Sequence, residues 1–163
     1  MQSLPETQAA QERRKRIEVL LDQGRGHRHL ADARVAASVE TALLHFDGQR
    51  YRLHAWCVMP NHIHVLVTPQ GTNTLSKILQ SWKSFTGNRA NEILGRKGTF
   101  WAPDYHDRFI RDEAHFGTAV NYIALNPVKA GLCSTAEDWR YSSSWAGRTQ
   151  VSLPGTADIF SAF

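Results

Sequence analysis

Cysteine is scarce in this chain, with two residues, Cys57 and Cys133, among 163. Two such distant thiols make no disulfide framework, and without a Cys-x-x-Cys pair there is no thiolate knuckle for a structural zinc. That usage suits a reducing, cytoplasmic setting, with Cys57 as a small buried apolar residue. No run approaches the roughly 20 apolar residues of a membrane span. The opening Met1-Gln2-Ser3-Leu4-Pro5-Glu6 is polar and lacks the basic and apolar regions of a secretion signal. No Gly-x-x-x-x-Gly-Lys-Ser/Thr loop is present, so no nucleotide cofactor is expected. The chain also lacks internal repeats. What is left is a single domain over 1–163, irregular at 1–11 and 146–163, with 42% hydrophobic residues to build a core. The formal net charge of +4 suits a nucleic-acid partner, but equally suits an ordinary protein of slight positive excess.

Hydrophobic periodicity orders the elements. Ile17, Leu20 and Leu21 recur at helical spacing beside Arg13-Arg14-Lys15-Arg16, which predicts a helix over 12–21 whose basic run is a solvated face or meets DNA. A second helix is expected over 32–44, burying Val35, Val39, Ala42 and Leu43. Strands follow at Tyr51–Val58 and 62–68, joined through Met59-Pro60-Asn61; Pro60 cannot donate to a ladder and belongs at the bend. Thr74 caps a long helix to Leu94 with Leu75, Ile78, Leu79, Trp82 and Phe85 inward. After a strand over 105–111, Asp112 caps the last helix, with Phe116, Ala119, Val120 and Ile123 as its stripe. Pro127 ends that helix and Gly131 turns the chain away. The pattern is α+β.

One constellation outweighs the rest: Asn61-His62-Ile63-His64-Val65. Side chains alternate along a strand, so His62 and His64 share one face while Ile63, Val65 and Val67 fill the other. Alone, the pair is weak evidence, and a structural role is the commoner meaning. Tyr122 alone is weaker still. On a helical wheel, however, Tyr122 and Asn126 fall on one edge, flanking the Phe116/Val120/Ile123 stripe. A phenol, with a pKa of about 10, is a poor nucleophile at neutral pH. A divalent cation would strengthen a phosphodiester as electrophile and orient it. Two imidazoles and a carboxamide could hold Mg²⁺ or Mn²⁺ with positions left for phosphate. Attack by tyrosine stores the bond energy in a phosphotyrosyl link, so rejoining needs no ATP.

At these residues the chain resembles the IS200-type single-tyrosine transposases with their His-hydrophobe-His motif. More narrowly, Met59-Pro60-Asn61-His62-Ile63-His64 and Tyr122-Ile123-(x)2-Asn126-Pro127-Val128-Lys129-Ala130-Gly131-Leu132 resemble the REP-associated tyrosine transposases. Trp82-Lys83-Ser84-Phe85, Phe100-Trp101, Asp107-Arg108-Phe109-Ile110-Arg111-Asp112-Glu113 and Asp138-Trp139-Arg140-Tyr141-Ser142-Ser143 add to the likeness, which spans about 31–145. The resemblance implies a ferredoxin-like antiparallel sheet and action on single-stranded or hairpin DNA of REP type. It also implies His62, His64 and Asn126 as metal ligands and Tyr122 as the nucleophile. Lys83, Arg89, Arg96, Lys97, Arg108, Arg111 and Lys129 are the candidate DNA contacts. His54 and His106 are read as structural or surface residues.

One departure stands out. Family members open with a strand ahead of the first helix, and this chain shows no such sequence, so the sheet is expected to lack its first strand. That expectation keeps an alternative open, a non-catalytic protein that binds REP-like hairpins. A replication initiator of the same His-x-His group, and a purely structural histidine pair, are further alternatives. The sequence does not decide between monomer and dimer.

Overall fold

The computed structural model describes residues 7, 10, 15–24 and 26–148. Four strands form one antiparallel sheet: β1 (Ile17–Asp22), β2 (Tyr51–Val58), β3 (His62–Pro69) and β4 (Tyr105–Phe109), in the order β2-β3-β1-β4. Helix α1 (Ala33–His45) links β1 to β2, and α2 (Leu75–Leu94) links β3 to β4. This β-α-β-β-α-β path is the ferredoxin-like arrangement. A third helix, α3 (Glu113–Lys129), follows β4.

The first strand is therefore present, which corrects the reading of 12–21 as a helix and of the sheet as incomplete. Ile17, Val19 and Leu21 alternate inward, and β1 is flanked on both sides, by β3 in the register Leu20↔His64 and by β4 in the register Leu20↔His106. Two full ladders outweigh a short helical spacing. Residues 11–14, with Arg13 and Arg14 of the basic run, lie outside the described residues, as do 1–6, 8–9, 25 and 149–163. Arg16 does not offer itself to DNA: it is buried, pairs with Glu113 at 3.0 Å and lies 4.1 Å from the Phe116 ring centre.

Period-two alternation divides the core in two. Ile17, Val19, Leu21, Ile63, Val65 and Val67 pack against Val35, Val39 and Leu43 of α1 and Ile78, Leu79 and Trp82 of α2. Tyr51 joins the two helices, donating to the Leu43 carbonyl at 2.6 Å and accepting from Trp82 Nε1 at 3.0 Å. On the other face Ala55, Cys57 and Leu66 meet Ala119 and Ile123 of α3. Burial pushes the Cys57 thiol up to about 12, so it is inert filler.

The helices begin where expected. Asp32, Thr74 and Asp112 accept from Arg34, Lys77 and His115 N–H groups as N-caps. Two details differ. Phe85 is 51% exposed rather than inward, because the apolar face of α2 is filled by Ile78, Leu79 and Trp82. Pro127 sits inside α3 and not at its end; the proline costs one backbone bond, and the helix continues to Lys129 before Gly131 turns at φ 73°. Among the described residues no helix is long and apolar enough to cross a membrane.

Candidate active site

Leu66 lies under α3, and two residues back along the same face of β3 is His64. The edge of α3 that carries Tyr122 and Asn126 therefore faces His64 across the sheet. Asn126 Nδ2 is 3.2 Å from His64 Nδ1, and the Tyr122 ring stands edge-on to the His64 ring, centres 5.3 Å apart. His62 lies one strand-period on, its ring centre 6.0 Å from that of His64 and nearly perpendicular. Its Nδ1 is 2.8 Å from Asn61 Oδ1 and donates to that oxygen, which leaves Nε2 as the ring nitrogen with a lone pair. The four residues singled out by spacing are thus brought together.

Glu18 of β1 completes the floor, and the sequence reading missed it. Its side chain is 7% exposed, accepts from Arg108 Nε at 2.7 Å and stands 3.5 Å from His64 Nε2. With Asn126 donating to His64 Nδ1, the imidazole proton sits on Nε2, toward that carboxylate. Alternation along β1 was the available signal, since Glu18, Leu20 and Asp22 must oppose Ile17, Val19 and Leu21.

Burial lowers the pKa of His64 below its ordinary 6.5, against the opposing pull of Glu18. Burial likewise lowers that of His62, against Asp22. Both rings are accordingly neutral at physiological pH, the form that ligates metal. Among the described residues no group of three or more His, Cys, Asp and Glu side chains is gathered to hold an ion. The donors at hand are the two imidazoles and the Asn126 carboxamide, with Glu18 beyond His64. This set fits a weakly held divalent cation better than a closed structural site.

A cavity of about 430 Å³ opens over this floor, lined by Glu18, Leu20, His64, His106, Arg108 and Tyr122 among others. Tyr122 is 43% exposed at its mouth, and Lys129 Nζ lies 5.1 Å from the phenol ring centre. His106, read as a structural or surface residue, is exposed and borders the cavity, with Leu20 between it and His64 in the ladders. His54 is structural as expected, bonded to Thr68 Oγ1 at 2.8 Å and edge-on to Phe116.

The basic candidates are engaged in different ways. Arg108 and Lys129 border this cavity. Lys83 donates to the carbonyls of Ala102 and Pro103, and Arg89 pairs with Glu92 on α2. Arg96 donates to Asn91 Oδ1, while Lys97 and Arg111 are exposed.

A larger cleft of about 550 Å³ runs along α2 past Lys83, Asn88 and Tyr105. Its lining holds none of the histidines, nor Tyr122 or Asn126.

A ferredoxin-like sheet presenting a His-x-His pair to a helix-borne tyrosine defines a class, and the comparisons place the chain in it. The family model described as "Transposase IS200 like" matches residues 28–126, so the chain belongs to that family. It is 30% identical over 94 residues to a REP-associated tyrosine transposase of Escherichia coli (strain K12). That alignment covers 57% of this chain and 54% of the other, so the chain spans about half the length of that relative. Among solved structures, a REP-associated tyrosine transposase bound to a REP hairpin superposes with a TM-score of 0.66. It shares 22% identity, over 86% of this chain and 83% of that one, a likeness of fold.

Proposed function

We propose that this protein cleaves and rejoins single-stranded DNA beside REP-like hairpins, with Tyr122 as nucleophile and Mg²⁺ or Mn²⁺ as cofactor. The observation that carries the reading is the exposed Tyr122 phenol standing over His64, which its own helix neighbour Asn126 holds in place. The phenol oxygen attacks the phosphorus, a P–O bond to tyrosine forms, and the bond to the 3′ oxygen breaks. The products are a 5′-phosphotyrosyl link and a free 3′ hydroxyl, and reversal with another 3′ hydroxyl transfers the strand. His62, His64 and Asn126 would hold the cation, which when bound polarises a non-bridging phosphate oxygen. A cation held by His64 Nδ1 would replace the present contact of that nitrogen to Asn126 Nδ2, while Nε2–H stays toward Glu18. Arg108 and Lys129 lie where phosphate charge would be met. The non-catalytic alternative drew its support from a missing first strand, and with β1 in the sheet that support is gone.

Denaturing electrophoresis of the protein with labelled hairpin DNA and Mn²⁺ tests the reading. Wild type should give a shifted covalent band. Tyr122→Phe, which removes one oxygen and keeps the ring, should bind DNA and give none. His64→Ala should also lose cleavage, with binding affected less. A band that persists in Tyr122→Phe would mean another nucleophile; hairpin binding by wild type without any band would mean a binder only.

A further inference from the structure

The segment Asp138-Trp139-Arg140-Tyr141-Ser142-Ser143 supplies no lining residue to the cavity beside Tyr122. It is nonetheless bound to both halves of that site. Leaving α3, the chain turns at Gly131 and comes back through a 3-10 turn, Ala136–Asp138, that packs on the helix. Thr135 N–H donates to Asp138 Oδ2 at 3.1 Å and closes that turn. Ser142 then bridges Cys57 antiparallel on the outer side of β2, the end strand of the sheet. Val58 N–H donates to the Tyr141 carbonyl at 2.8 Å, and Ser143 N–H to the Trp56 carbonyl at 2.9 Å. A strap thus covers this end of an open sheet edge.

Trp139 is where the strap meets both halves. Its Nε1 donates to the Val58 carbonyl at 3.0 Å. Val58 is therefore held at both its N–H and its carbonyl. The next residue, Met59, donates its N–H to the His62 carbonyl at 2.8 Å, so the grip falls on the bend that delivers the histidines. The Trp139 ring packs against the cluster that holds Ala119 and Ile123 of α3, and Ile123 is the neighbour of Tyr122. That seat of α3 on the sheet is built largely from small side chains, Ala55, Cys57 and Ala119, which interdigitate little. The strap has its own anchors on α1. Glu40, buried, accepts from Trp56 Nε1 at 3.3 Å and pairs with Arg140 at 3.1 Å and Arg148 at 2.5 Å. Tyr141 Oη donates to the Ala33 carbonyl at 3.2 Å. Charge-assisted bonds of this kind hold a segment in one geometry.

We propose that the strap is an alignment device for the reacting centre, with Trp139 as its positioning residue. The indole N–H holds the hairpin that carries His62 and His64, while the indole ring holds the helix that carries Tyr122. One side chain thereby fixes the distance between nucleophile and histidines, which stand on different elements. The proposal rests on the reading of Tyr122 as the nucleophile and deepens it, by naming what keeps the phenol in line. Misplacing a reacting group by 1 Å costs about a hundredfold in rate, so a small slide of α3 on its narrow seat would be felt in the chemistry before it was felt in the fold.

Two readouts on the full chain test it. The first is the rate of covalent capture at saturating labelled hairpin, with the hairpin Kd measured alongside. Trp139→Leu, which removes ring and donor, should slow capture about a hundredfold and leave the Kd within about twofold. Trp139→Phe, which keeps an aromatic ring and loses the donor, should fall between it and wild type, and serves alone where Trp139→Leu fails to fold. Val39→Ala, in the core on the other face of the sheet, lowers the urea midpoint but should leave the rate unchanged. The second readout needs neither DNA nor metal. With 3-fluorotyrosine in place of the four tyrosines, the fluorine signal that vanishes in Tyr122→Phe belongs to Tyr122. That signal should move toward the free amino acid in the Trp139 variants and stay in place in Val39→Ala. A rate and a signal unchanged in Trp139→Phe, or changed as much in Val39→Ala, overturn the alignment role and leave the proposed function standing. If wild type captures no DNA the proposed function falls, and the fluorine signal alone decides whether Trp139 places Tyr122.

Discussion

Glu18 shows how much a single carboxylate organises. It is buried, yet Arg108, which holds it, is 59% exposed and can be hydrated when the partner is lost. Glu18→Gln should therefore cost only about 1 kcal/mol of stability, read as a small shift in a urea melt. The same change removes the negative charge facing His64 and should weaken Mn²⁺ binding by more than the stability loss explains, as measured by metal titration. Protonation acts on the same floor. Burial holds His62 and His64 below their ordinary 6.5, so the unfolded chain binds the extra protons more readily. Stability should then be level above pH 6.5 and fall as the pH drops below it, flattening once the folded-state values are passed. Urea melts across that range check this, and replacing both histidines with glutamine should remove their share of the slope. A slope unchanged in the double variant would show that other groups carry it.

At the scale of elements, β1 decides whether the sheet exists. Leu21 is 1% exposed and packed in the core shared with α1 and α2. Leu21→Ala should cost about 2–5 kcal/mol, seen as an earlier urea midpoint, with loss of DNA binding only as the fold is lost. This strand was also the part of the fold hardest to read. Ile17, Leu20 and Leu21 fit a helical period, Ile17, Val19 and Leu21 fit a strand, and six residues are too few to separate the two. What settles the matter is remote in sequence: β3 and β4 supply both ladders, and the partner of Glu18 is Arg108. By contrast β3 was legible because β-branched Ile63, Val65 and Val67 recur at period two behind His62 and His64, and α2 because Thr74 marks its start and Gly95 its end. Within the site, His62, His64, Tyr122 and Asn126 could be found because each is fixed by spacing within one element. Glu18 could not, since its place in the site depends on strands that meet only after folding. Phe85 was misjudged for the opposite reason, as a helical wheel does not say how wide the covering sheet is.

Across the whole molecule, charge is sparse and uneven, so DNA affinity should depend on where the cations stand rather than on the net charge of +4. Lys129 lies over the Tyr122 ring at the mouth of the reacting cavity, whereas Arg89 is engaged with Glu92 on the exposed side of α2. A strand threaded to Tyr122 must bring a phosphate past Lys129, and neutralising it releases a counterion. Lys129→Ala should weaken hairpin binding and make the log–log dependence on salt shallower by about 0.7–0.9, the value of one phosphate contact. Arg89→Ala, which removes a charge already spent within the helix, should leave that slope close to wild type. Anisotropy titrations of labelled hairpin over a range of salt concentrations measure both slopes. The comparison holds net charge equal, since each variant removes one cation, so a difference between them reports position alone. If the two variants lose the same slope, the attraction is a diffuse field over the molecule, and the DNA path does not run past the mouth of the cavity.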